Sequence, residues 1–139
     1  MHERDNPPVI IVQRVDSGEP ETAEIRDLAR AAGFRIAGVL TQARVEDPEY
    51  NIGAGKVEEL LELVDDTEAS AVIFDNRLGP YQTYNLGTRL PEGVEVIDRF
   101  TLILRIFGQR ADTRKAQLQV ELAELRYELP RVEAKTSLA

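Results

Sequence analysis

Apolar positions along this chain recur at two different spacings, and the switches between them lay out a fold. Val9-Ile10-Ile11-Val12 is a β-branched run behind Pro7-Pro8, the pattern of a strand buried on both faces. Past Gly18 and Pro20 the spacing changes. Ile25, Leu28, Ala29 and Ala32 recur at three and four residues, which predicts a helix over Glu21–Ala32 with Gly33 at its C-cap. Phe34–Leu40 reads as a second strand, and Gln42–Asn51, containing Pro48, as irregular. A second helix is expected from near Gly55 to about Asp65, with Val57, Leu60, Leu61 and Val64 on one face. Ala71–Phe74 is the third strand. Gly79-Pro80 opens a third helix that Leu86 and Leu90 bury, Pro91 and Gly93 end it, and Val94–Ile97 is the fourth strand. Alternation of strand and helix predicts an α/β fold, a four-stranded parallel sheet with flanking helices and right-handed crossovers.

From Asp98 to Leu129 the pattern is helical throughout, with no proline and Gly108 as the lone glycine. Phe107, Ala111, Leu118, Leu122, Leu125 and Leu129 fall in one stripe of a 3.6-residue repeat. The expected organisation is an α/β domain over 1–97, one long amphipathic helix over 98–131 that Pro130 stops, and a tail over 132–139. A helix of ~30 residues is ~45 Å long, so its far half must project beyond the sheet. Leu118, Leu122, Leu125 and Leu129 would then need a partner, and a second copy of the chain is one candidate.

Composition narrows the chemistry. The 139 residues include no cysteine and a single histidine, His2, in a terminus expected to fray. A disulfide framework, a thiol nucleophile and a cysteine-based zinc site are excluded, and the lone terminal histidine argues against a Ser-His-Asp triad or a His-rich metal site. No apolar run approaches the ~20 residues of a membrane span, and no apolar signal core follows Met1-His2-Glu3-Arg4-Asp5. A cytoplasmic location without membrane partners is expected.

The formal charge of −8 argues against a nucleic-acid partner until its distribution is considered. Between Arg99 and Lys115 stand five cations (Arg99, Arg105, Arg110, Arg114, Lys115) and one acid, Asp112. Arg99, Arg110 and Arg114 would share one side of a continuous helix, and the planar guanidinium pairs well with phosphate. Salt bridges between helix and sheet, or a merely solvated face, are the competing readings.

Two loops invite chemistry. Gly53-Ala54-Gly55-Lys56 resembles a phosphate loop but lacks the glycine at position 50 and the Ser/Thr at position 57, which are Tyr50 and Val57. Gly53, Gly55 and Lys56 could still hold an anion at a helix N-terminus; a tight strand-to-helix turn is the other reading. Asp75-Asn76 ends the third strand, where open α/β sheets bind ligands. Gln42 and Gly53 should lie near the same edge. No general base with a partner is identifiable, so no catalytic residue is assigned and loop capping is the favoured role for Asp75 and Asn76.

Three segments resemble the HflX family of GTPases. They are Tyr50-Asn51-Ile52-Gly53-Ala54-Gly55-Lys56-Val57-Glu58-Glu59-Leu60; Asp75-Asn76-Arg77-Leu78-Gly79-Pro80-Tyr81-Gln82 with Asn85-Leu86; and Ile97-Asp98-Arg99-Phe100-Thr101 through Ile106-Phe107 and Gln109–Thr113 to Leu129-Pro130-Arg131. The likeness runs roughly from Val9 to Arg131. Phe100 departs from the usual threonine and Lys115 from the usual glutamate. The resemblance implies the amino-terminal part of a ribosome-associated GTPase that binds the large ribosomal subunit and its rRNA, in splitting and rescue or in biogenesis. Arg99, Arg105, Arg110, Arg114, Lys115 and Lys56 would supply phosphate contacts. It also implies a two-helix arm leading to a G domain, with the chain stopping inside that arm. GxxxxGK[ST], a following DxxG and [NT]KxD are all absent, so no cofactor is expected in this chain. GTP and magnesium would belong to the G domain. The alternative is an autonomous nucleotide-binding domain, for ATP-dependent RNA remodelling or nucleotide hydrolysis, using the Gly53–Lys56 turn.

Overall fold

A computed structural model describes residues 5–138, and His2 lies outside them. Its elements are β1 (Pro8–Val15), α1 (Ala23–Ala31), β2 (Arg35–Ala43), α2 (Ala54–Thr67), β3 (Ala71–Phe74), α3 (Pro80–Arg89), β4 (Glu95–Asp98), α4 (Arg99–Arg110) and α5 (Arg114–Leu138). The four strands form one parallel sheet in the order β2-β1-β3-β4.

Side chains alternate across the central strand, and this sorts the helices. Val9 and Ile11 join Ile25, Ala29, Ile73, Ile97, Leu102 and Ile106 in a core under α1 and α4. Ile10 and Val12 join Val57, Leu60, Val64, Val72, Phe74 and Leu86 in a second core under α2 and α3. Because both faces are covered, β1 and β3 read as unbroken apolar runs. Gly33, just past the C-cap Ala32, has φ +98°, a left-handed conformation that glycine adopts without steric cost. Pro80 occupies the first turn of α3 behind the Gly79 N-cap.

The long C-terminal helix is present, but the single helix expected over 98–131 is two. Ala111 leaves the helical region with ψ 111°, and a new helix begins at Arg114, just after Thr113. The Thr113 Oγ1 accepts from the Ala116 amide at 3.1 Å, and the Gln117 side chain donates to the Ala111 carbonyl at 3.3 Å. Thr caps an N-terminus that the 3.6-residue pattern runs straight through. The second correction is at Pro130, which lies inside α5 rather than at its end. The residues expected to form a tail from 132 are helical as far as Leu138. Pro130 is exposed, with Tyr127 and Ala134 buried on either side of it, so packing holds the helix through the lost backbone bond.

The break lets α5 fold back rather than project. It packs against α3 and α4, which lie on opposite faces of the sheet, and so runs along the β4 edge. Its inward stripe is Ala116, Val120, Ala123, Tyr127 and Ala134. The leucine stripe points the other way: Leu118, Leu122, Leu125 and Leu129 are 45–62% exposed.

Candidate functional site

The C-terminal edge of the sheet is where a parallel α/β fold gathers its loops, and the strand order reverses between β1 and β3. Here that crevice is occupied by the chain's own polar groups. Gln13, at the end of β1, donates to Asp75 Oδ2 at 2.5 Å and to the Glu21 carbonyl at 2.6 Å. Arg99 bridges Asp75 Oδ1 and Glu24, each at 2.6 Å. Hydrogen bonds donated to Glu24 and then to Asp75 raise the affinity of that guanidinium for its proton above the usual. Asn76 accepts from the Arg14 amide at 2.9 Å and donates to the Arg14 carbonyl at 2.8 Å, extending the β1–β3 pairing with a side chain. Asp75 and Asn76 therefore hold loops together, the role the sequence favoured. Gln42 and Gly53 do meet at this edge, through a 2.9 Å bond from the Gly53 amide to Gln42 Oε1.

The Gly53–Lys56 turn is the N-terminus of α2, with Gly53 as N-cap in extended conformation. The Arg44 guanidinium lies against Gly53, where a Cβ would displace it. Lys56 pairs with Glu59 at 2.8 Å. Ala54 and Gly55 are exposed.

The expected cationic face divides in two. Arg99 is committed to Asp75 and Glu24, and Arg105 to Glu95 at 2.6 Å. Arg110, Arg114 and Lys115 are exposed and pair with no carboxylate among the described residues. These three cluster at the elbow between α4 and α5. Since that elbow breaks the helix, Arg114 does not share a continuous helical face with Arg99, as the uninterrupted pattern implied.

One cluster escaped the sequence reading. Asp98, 4% exposed, accepts from the Leu78 amide at 3.1 Å, the Thr101 amide at 2.9 Å and the Tyr127 hydroxyl. Arg131 approaches the same carboxylate at 3.8 Å and donates to the Tyr127 and Leu78 carbonyls. The Tyr127 ring stacks on Phe100 with centroids 4.4 Å apart, and Arg131 covers the ring at 3.6 Å. Burial, and then the bond to Asp98, push the Tyr127 hydroxyl well above its ordinary pKa. One carboxylate thus joins the end of β4, the α3 loop, the start of α4 and the middle of α5. The available signals were an aspartate closing an apolar strand before a helix, and Tyr127 as the only aromatic after Phe107.

The polar groups at the carboxyl edge of the sheet are thus paired with one another, while Arg110, Arg114 and Lys115 stand at the elbow without carboxylate partners among the described residues. Residues 19–108 match the family described as GTP-binding GTPase N-terminal, and residues 110–138 match GTP-binding GTPase Middle Region. The chain belongs to this family of GTP-binding GTPases, and its relatives carry the name GTPase HflX. The relative from Thermofilum pendens is 51% identical over 125 residues, which cover 87% of this chain and 29% of the relative. That from Thermococcus kodakarensis is 50% identical over 110 residues, covering 79% of this chain and 24% of the relative. That from Escherichia coli is 45% identical over 113 residues, covering 81% and 26%. The chain therefore spans between about a quarter and a third of these relatives' length. The fold also matches the solved structure of a GTP-binding protein from Sulfolobus solfataricus in complex with GDP, with TM-score 0.71 and 26% identity, over 92% of this chain and 39% of that one.

Proposed function

We propose that this chain is the ribosome- and RNA-facing module of an HflX-like GTPase and associates with the large ribosomal subunit. The observation that carries this reading is the elbow: three unpaired cations stand together on a chain whose net charge is −8. Arg110, Arg114 and Lys115 contact rRNA phosphates, while Arg99, Arg105 and Lys56 keep their carboxylate partners and shape the surface around them. Phosphate contacts of this kind position a protein without reading sequence. The acidic remainder suppresses nonspecific RNA binding, so the site is chosen by shape. GTP and magnesium act in a G domain outside this chain, and the event to which the module contributes is subunit splitting and rescue or biogenesis.

The rival reading, a self-sufficient nucleotide domain at the Gly53–Lys56 turn, is poorly supported. Gln42 takes the Gly53 amide, Arg44 covers Gly53, and Glu59 holds Lys56. Co-sedimentation with large ribosomal subunits tests the proposal. Arg110→Glu with Arg114→Glu is expected to weaken binding more than tenfold with an unchanged melting curve. Binding equal to the parent at matched salt would refute the assignment.

A further inference from the structure

Charge alone does not account for the elbow. A hollow of about 370 Å³ opens between α4 and α5 beside Arg110, within the roughly 300–1,000 Å³ of small-ligand sites. The helices lie close at Gly108, where a Cβ would stand in ordinary contact with Val120 at 3.5 Å. Beyond that contact the small side chains of Ala116 and Ala123 leave the space unfilled. Phe107 forms one wall and is 57% exposed, although a phenylalanine at a helix–helix seam ordinarily buries its ring. Arg110 and Gln119 form the rim, and the Gln119 amide makes no hydrogen bond among the described residues. Lys115 stands one helical turn before Gln119 on the same side of α5.

We propose that this hollow takes one unstacked nucleobase of an RNA strand. Its ring lies on Phe107, its polar edge meets the Gln119 amide, and its neighbouring phosphates sit on Arg110 and Lys115. The inference rests on the RNA-binding reading above and narrows it from a charged surface to a pocket. Each part of the site matches one part of a nucleotide. An open aromatic face accepts any base, because every base has a π-face. An amide both donates and accepts, so it pairs with either kind of base edge. A cationic rim on an acidic chain selects a polyanion. An acidic peptide would satisfy the cations but leave the aromatic wall unused. Duplex RNA keeps its bases stacked and presents none to the hollow.

Fluorescence titration of the full chain with a single-stranded RNA oligomer carrying one 2-aminopurine tests this. The parent quenches the probe as the base stacks. Phe107→Ala abolishes the quenching and weakens binding about ten- to a hundredfold, the range of one lost base–aromatic stack. Phe107→Trp retains both. A duplex of the same length binds parent and Phe107→Ala alike. Arg110→Ala with Lys115→Ala weakens single strand and duplex together and flattens the salt dependence. Circular dichroism melts matching the parent confirm folding, as expected for truncation of an exposed ring. Quenching and affinity unchanged in Phe107→Ala overturn the base pocket; if the Arg110/Lys115 variant still loses affinity, RNA binding itself stands. A parent that binds neither RNA overturns both. Displacement of the RNA by an acidic peptide at equal concentration also overturns the pocket.

Discussion

Removing the Asp98 carboxylate should loosen α5 from the α/β body and cost more than most single substitutions. In Asp98→Ala the α4 N-terminus loses its cap at Thr101, a loss of about 1 kcal/mol. The buried Leu78 amide and the Tyr127 hydroxyl lose their acceptor, at about 1–3 kcal/mol for each group left unpaired. Arg131 keeps its two carbonyl partners, so its contribution is smaller. Tyr127 can turn toward solvent once freed, which puts the total nearer the lower end, at about 3–4 kcal/mol. For a chain of this size that is a fall of roughly 10–14 °C in melting temperature. Thermal unfolding followed by circular dichroism measures it. Tyr127→Phe removes only the hydroxyl and should cost about 1–2 kcal/mol. The double substitution should cost less than the sum of the two. A loss below about 1 kcal/mol in Asp98→Ala, or strict additivity, would refute the hub.

Three further outcomes are expected. A hydroxyl whose pKa is raised on folding contributes stability that is fully present below the ordinary tyrosine value near 10. That contribution is lost as pH rises through the folded pKa, so alkaline melts should fall more steeply for the parent than for Tyr127→Phe; equal slopes contradict the assignment. Asn76→Ala breaks both bonds to the Arg14 backbone and should cost about 2 kcal/mol in denaturant unfolding, with no measurable cost arguing that water replaces the side chain there. The exposed leucines of α5 should pair with a second copy of the chain, so sedimentation should show a dimer at high micromolar concentration that Leu122→Glu with Leu125→Glu dissolves; a parent monomeric throughout that range rules out this partner.

The parallel sheet was legible because its strands are short apolar runs bounded by proline, glycine and polar turns. Ala71–Phe74 is the same four residues in sequence and structure. Edge strand β2 runs three residues past Leu40, because its end faces polar loops and carries no apolar signal. The elbow was not legible for a different reason. Periodicity registers apolar faces, and Phe107, Ala111 and Leu118 keep phase across a break that a threonine side chain caps. That phase also concealed which stripe of α5 packs inward: the small residues Ala116 and Ala123 lie against the domain, and the larger leucines do not. Among the cations, sequence spacing could not separate Arg99 and Arg105 from the unpaired three, since their carboxylates come from other elements: Glu24 in α1, Asp75 after β3 and Glu95 in β4.

The most direct test of the ribosomal reading is the salt dependence of binding to isolated large and small ribosomal subunits. If the elbow engages rRNA phosphates, affinity for the large subunit should exceed that for the small one. The logarithm of its binding constant should fall linearly with the logarithm of salt concentration, with a slope of roughly −2 to −3 for three phosphate contacts. Equal and salt-independent binding to the two subunits, or no binding to either at low salt, would contradict it.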